Sequence, residues 1–371
     1  AVTNKRLKRI LIPGALFISS VVLILLLLEL FLRLSETHVI QQKAGRLKTL
    51  CELDAEFLIV YTSKGRRLVP NARVLIRNHR ISKRDITMEI NSLGFRDGEV
   101  PAHKKTNELR ILVLGDSITW GSYLEAEEVY VERAEEYLKS SMKDRSVEVI
   151  NAGVGDIGLK EEINILEERG LSVEPDIVVV SFYLNDSRPP WGFPGELGSR
   201  GWLRKHSLLA ETINKKFKLR RWIKEQGEDR LGWTSVMDKV DWANDREAFL
   251  ELASMAKYDW GAAWEAESWD VIDREFSTLK ALSKKHNFTV AIVAFPAAFQ
   301  VYAKFLEDTP QRILREKADR LGFDYLDLLP ILRKYSEVEK GLYYDWCHPT
   351  VKTNDFIGRA IATFLLGISR S

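Results

Sequence analysis

Two stretches far apart in the chain hold side chains suited to nucleophilic chemistry. The first is Arg110-Ile-Leu-Val-Leu-Gly-Asp-Ser-Ile-Thr-Trp-Gly121. Its unbroken apolar run, Ile111 to Leu114, is the mark of a strand buried on both faces. Gly115 permits a sharp turn, and Asp116-Ser117 stand where a helix should begin. First-turn amides have no internal acceptors and favour negative charge. A serine hydroxyl there can attack an acyl carbon while nearby amides stabilise the oxyanion. Asp116 and Ser117 are also good helix caps, so this stretch alone leaves both roles open.

The second stretch is Tyr344-Asp-Trp-Cys-His-Pro-Thr350, with a carboxylate three residues before a histidine and a proline directly after it. Pro349 biases His348 towards an extended backbone and suits the first turn of a helix. The apolar pattern from Val351 to Leu366 predicts that helix, with Gly367 as its stop. Asp345 and His348 are therefore expected on a strand-to-helix loop, like Ser117. In open α/β sheets such loops gather at the carboxyl ends of the strands, where ligands bind. Ser117, Asp345 and His348 together would make a hydrolytic triad.

Gly115-Asp116-Ser117, Gly153, Asn185-Asp186 and Asp345-x-x-His348-Pro resemble, in order, the four blocks of the SGNH, or GDSL, hydrolase superfamily, in a membrane-anchored bacterial form. The likeness runs from about Leu109 to Leu366 apart from an insertion. It implies a flavodoxin-like three-layer α/β/α domain with a five-stranded parallel sheet. It also implies that Ser117 is the nucleophile, His348 the base and Asp345 its orienting carboxylate. The Ser117 and Gly153 amides and the Asn185 side chain would form the oxyanion hole. Asn185 is equally at home starting a turn. The implied activity is ester hydrolysis through an acyl-serine. An O-acyltransferase with the same triad is the near alternative, and a non-catalytic glycan- or lipid-binding scaffold the distant one. After the last block, Thr350-Val-Lys-Thr-Asn354 departs from the usual pattern, which bears on local loop shape.

The 371 residues, 45% hydrophobic and 29% charged with net charge +2, give no sign of nucleic-acid binding. The two cysteines cannot make a disulfide framework. Cys51 and Cys347 could pair once, but a small buried thiol suits Cys347 better. The remaining histidines lack metal-ligand spacing and no dinucleotide or phosphate-loop fingerprint occurs, so neither metal nor cofactor is expected.

Ile10 to Leu28 carries no charge. Nineteen residues make roughly 28 Å of helix, near the hydrocarbon thickness of a bilayer. No small-residue cleavage site follows, so an uncleaved anchor over 10–34 is expected. Lys5, Arg6, Lys8 and Arg9 place residues 1–9 in the cytoplasm and the catalytic domain outside. The partners expected are the membrane and an ester-bearing small molecule, glycan or lipid.

Residues 35–105 read as a juxtamembrane helix or linker and then a small antiparallel β element. Its strands are Phe57–Tyr61, Ala72–Arg77 and Ile86–Ile90, with Lys64-Gly65 and Pro70-Asn71 as turns. Ile90-Asn-Ser-Leu-Gly-Phe-Arg-Asp97 either shapes the rim of the site or is a turn around Gly94. From 106 to 371, strands at Ile111–Leu114, Val147–Ile150, Asp176–Tyr183, Val290–Phe295 and Tyr325–Leu328 alternate with helices, the pattern of a covered parallel sheet. An insertion over about 187–268 breaks the alternation. Eight of the ten tryptophans lie between Trp191 and Trp269, and the insertion holds a basic amphipathic stretch, Gly201–Gln226. It is either a packed helical subdomain or a lid touching membrane or an anionic polymer.

Overall fold

The central strands are those whose sequences are apolar on both faces. In the computed structural model, residues 16–17, 19–32, 34, 47–51, 58–62, 64–101, 103–187, 207, 209, 213 and 232–369 are described. Ten strands are named β1 to β10 in chain order. The main sheet contains β6 (Glu108–Gly115), β7 (Ser146–Asn151), β8 (Ile177–Tyr183), β9 (Thr289–Phe295) and β10 (Asp324–Asp327), all parallel, in the order β10-β9-β8-β6-β7. Every residue of β6 and β8 is buried, whereas β10 at the edge is only partly covered.

Chain order along this sheet reverses at β6, which lies between the second and third strands. Right-handed crossovers therefore send the β6–β7 helix to one face and the crossover helices between β7 and β10 to the other, and the last helix returns to the first face. Tyr130–Ser141 accordingly packs on Val351–Ile368, while Leu159–Glu168 packs on Ala266–His286, which also meets Thr309–Leu321. The β6/β8 boundary is the switch point of a flavodoxin-like sheet, where the diverging crossovers open a crevice. Ser117 and Asn185 lie just past the ends of these two strands.

The expected small β element is present but not wholly antiparallel. β2 (Ile59–Thr62) and β3 (Gly65–Leu68) form a hairpin, and β4 (Arg73–Arg77) pairs antiparallel with β5 (Ile86–Glu89). β1 (Leu47–Cys51), within the presumed linker, pairs parallel with β4. β3, not among the expected strands, follows the expected turn at Lys64-Gly65. Its Arg66 and Arg67 are both buried. Arg66 donates to Gly155 O (3.0 Å) and pairs with Asp156, and Arg67 pairs with Glu168 (2.9 Å). These bonds and a shared apolar core fasten the element to the α/β domain.

Among the described residues no helix is long and apolar enough to cross a membrane. Residues 16–17, 19–32 and 34 are helical and leave large apolar side chains such as Leu16, Phe17 and Leu34 exposed. The start of the Ile10–Leu28 run lies outside the described residues. Most of the basic stretch Gly201–Gln226, with Trp191, Trp202 and Trp222, also lies outside them. Glu29 accepts hydrogen bonds from Ser207 Oγ (3.0 Å) and Leu209 N (2.8 Å), joining the helical segment to the insertion. The described part of the insertion contributes to the core: Trp233 and Trp260 are fully buried, and Trp233 meets Trp346 of the Asp345 loop edge-on at 5.1 Å.

Candidate active site

Ser117 opens a one-turn helix, Ser117–Trp120. Asp116 caps it, its Oδ1 accepting from Ile118 N (2.9 Å), so the capping role falls to Asp116 and leaves the Ser117 hydroxyl available. Gly121, at φ 62°, ends the turn in a left-handed conformation that strains other residues. The turn is also held sideways. Thr119 Oγ1 bonds the Tyr130 hydroxyl (2.8 Å), which donates to Ser181 Oγ on β8 (2.6 Å).

Asp345 and His348 sit on a loop between the helices Leu328–Val338 and Val351–Ile368, not after a strand as expected. A Tyr343–Pro349 bridge closes the loop, reinforced by Tyr344 N donating to His348 O (2.8 Å) and Thr350 N to Leu342 O (2.9 Å). Pro349 thus belongs to the loop stem, and the helix starts at Val351. Inside the loop, Asp345 Oδ1 accepts from the Cys347 and His348 amides (2.9 Å each). Its Oδ2 lies 2.7 Å from His348 Nδ1, and His348 Nε2 lies 3.1 Å from Ser117 Oγ. An ionised Asp345 can only accept, so Nδ1 carries the proton and Nε2 turns its lone pair to Ser117.

Burial raises the Asp345 pKa, but His348 and the two amides outweigh it and hold the carboxyl below the usual carboxylate range. Burial, then Asp345 and Asp116, push the Cys347 thiol well up. Cys347 is a free, buried thiol, with Sγ 3.4 Å from His348 Nδ1. Among the described residues, Asp345, Cys347 and His348 form a group of potential metal ligands within 4.8 Å of one another. The ring nitrogens of His348 face Asp345 and Ser117, an arrangement suited to passing a proton between them.

The expected oxyanion groups reach this end of the sheet by register. Val113 pairs with Asn151 and Gly115 with Ser181, so the loops after β7 and β8 flank Ser117. A Cβ on Gly153 would lie 2.3 Å from Trp120 N, so only glycine lets this loop touch the serine turn. The Gly153 amide, however, donates to Asn151 Oδ1 (3.0 Å) and is engaged within its own loop. Asn185 is buried in a 3-10 turn after β8, and its Oδ1 has no hydrogen-bond partner. Carboxamide oxygen and nitrogen are interchangeable by a flip, so a buried Asn185 amide is left with capacity to bind.

Four supporting residues escaped the sequence reading. Tyr123, fully buried, stands edge-on to the His348 ring at 4.9 Å. Asn151 and Tyr130 brace the serine turn, Asn151 Nδ2 donating to Thr119 O (2.8 Å). Asn354, in the stretch that departs from the family pattern, accepts from Tyr130 N (3.1 Å) and donates to Pro349 O (2.9 Å), tying the two halves of the site together. Asparagine and tyrosine are common everywhere, so only the fold singles these out.

No protein-family model matches the chain, and no curated protein matches it. Several solved esterase structures are similar to it at low identity. An acetyl xylan esterase has 19% identity over 70% of this chain and 99% of that one, with a TM-score of 0.40. The acetylxylan esterase of Geobacillus stearothermophilus has 14% identity over 69% and 94%, with a TM-score of 0.41. A two-domain esterase active on acetylated mannans has 17% identity over 72% and 51%, with a TM-score of 0.41. Likenesses this loose leave the chemistry to be argued from the site.

Proposed function

We propose that the chain is a serine ester hydrolase of the SGNH type. The observation that carries this reading is the continuous line Asp345–His348–Ser117, with separations of 2.7 and 3.1 Å, at the switch point of the sheet. His348 Nε2 takes the Ser117 proton as Oγ attacks the ester carbonyl carbon. Asp345 keeps the ring in the required tautomer and stabilises the imidazolium that forms. The Ser117 amide and the Asn185 carboxamide receive the oxyanion. The Gly153 amide joins them by exchanging Asn151 Oδ1 for a charged acceptor, since such bonds are about twice as strong as neutral ones. As the tetrahedral intermediate collapses, the ester C–O bond breaks and the leaving alkoxide takes the proton from His348. Water, deprotonated by the same imidazole, then releases the acid and restores Ser117.

Ser117→Ala tests the reading. The variant should fold normally but lose hydrolysis of a small aryl ester and labelling by a serine-directed phosphonate. Labelling equal to the wild type would sink it. The same proposal includes an anchor over 10–34 with the catalytic domain outside the cytoplasm. The charge-free Ile10–Leu28 run and the exposed apolar side chains of the helical segment support it. Esters on surface glycans or lipids would then lie within reach. Protease added to cells stripped of outer barriers should digest the domain, and complete protection until lysis would refute that topology.

A further inference from the structure

We propose that Arg96 and Asp97 are positioning residues that hold the Ser117 turn in register with His348. The inference rests on the esterase reading above. A one-turn helix is a poor structure by itself, because few hydrogen bonds offset the cost of ordering it and its carbonyls lack internal donors. Ser117–Trp120 is such a helix, yet Ser117 Oγ must meet a ring carried by a loop from the far end of the chain.

The missing donors come from the segment just before the α/β domain. The Arg96 guanidinium donates through one nitrogen to Trp120 O (2.8 Å) and Gly121 O, and through the other to Leu124 O. Asp97 works through an intermediary. Its Oδ2 accepts from Asn151 N (2.9 Å), and the Asn151 side chain donates to Thr119 O (2.8 Å) while accepting from Gly153 N (3.0 Å). Two adjacent residues thus grip four carbonyls in and just beyond the serine turn, and one of them also sets the Gly153 loop.

The grip is itself rigid. Asn91 Oδ1 accepts from Leu93 N (3.0 Å) and Phe95 N (2.9 Å), and Asn91 Nδ2 donates to Gly98 O (2.8 Å). Gly94 takes φ 78°, and Phe95 is buried in the core. The stretch Ile90–Asp97, a rim or a mere turn by sequence, is therefore a bracket whose last two side chains reach the serine turn and the Asn151 that braces it. Burial lowers the Arg96 pKa to about 10, still far enough above neutral to keep it charged. Only a planar fork with several donors spans three carbonyls in this way, and a lysine ammonium would reach fewer.

The full chain with Arg96→Lys and Arg96→Ala tests this, with active sites counted by phosphonate labelling driven to completion. A displacement of about 1 Å costs on the order of a hundredfold in rate. Arg96→Ala should therefore lose about a hundredfold in kcat per labelled site with KM within about twofold, and Arg96→Lys should lose less. Added guanidinium at non-denaturing concentration should restore turnover of Arg96→Ala by about tenfold, which a purely structural role would not allow. Variants that melt earlier but keep kcat per labelled site within about threefold of the wild type would overturn the proposal. So would a failure of both variants to fold, which would make Arg96 a stability residue. If the wild type itself neither hydrolyses the ester nor takes the label, the esterase reading falls and the proposal with it.

Discussion

Replacing Asp345 by asparagine changes one atom and should disable the site through a tautomer. Asp345 Oδ1 accepts from two amides at 2.9 Å, while Oδ2 faces His348 Nδ1 at 2.7 Å. In Asp345→Asn the carboxamide oxygen must stay on the amide side, because turning the NH2 there would set donors against two buried N–H groups, at about 1–3 kcal/mol each. The NH2 then faces Nδ1 and demands a lone pair from it. The proton moves to Nε2, which points an N–H at Ser117 Oγ and no longer serves as a base. The expected loss is about 10⁴-fold in kcat, or roughly 5 kcal/mol of barrier. Folding should be little affected, since both amide bonds survive. Asp345→Ala should lose comparable activity and also about 2–6 kcal/mol of stability, having orphaned both amides. The assay is aryl-ester turnover beside thermal melting for the two variants. Asp345→Asn with more than about a tenth of wild-type kcat would refute the tautomer argument, and equal melting of the two variants would refute the role of the amides.

Asn185→Ala should lower kcat by about a hundred- to a thousandfold with a much smaller change in KM. An effect under about threefold would make Asn185 a turn residue only. Glu132 predicts a pH effect on stability. Burial, then Glu135, raise its carboxyl to about 7, so the folded state holds this proton more tightly than the unfolded chain does. Stability should therefore fall as pH rises from the usual carboxylate range to about 7, and level off above. Glu132→Gln should raise stability at pH 8 by about 1–3 kcal/mol more than at pH 5, measured by denaturant titration, and equal gains at both would contradict the assignment.

The sequence by itself determined the sheet and singled out the groups proposed to react, because both depend on local pattern. Short apolar runs bounded by turn residues mark strands buried on both faces, and β6 and β8 are fully buried along their lengths. Ser117, Asp345 and His348 were legible because short turns must hold unusual residue types at fixed spacing. Local pattern also misled where long-range contacts decide. β3 was not among the expected strands, and its Arg66 and Arg67 find Gly155 O, Asp156 and Glu168 nearly a hundred residues away. The helix Val351–Ile368 ends one residue beyond Gly367, its expected stop. The Asp345 loop hangs between two helices, because a single bridge and two backbone bonds can close it without a strand before it. Only the tertiary structure decided that the Gly153 amide is engaged by Asn151, that Asn354 joins the two halves, and that Arg96 and Asp97 reach the serine turn. Each is a hydrogen bond whose partner is fixed by where the strands end in space, and residue spacing carries no record of that.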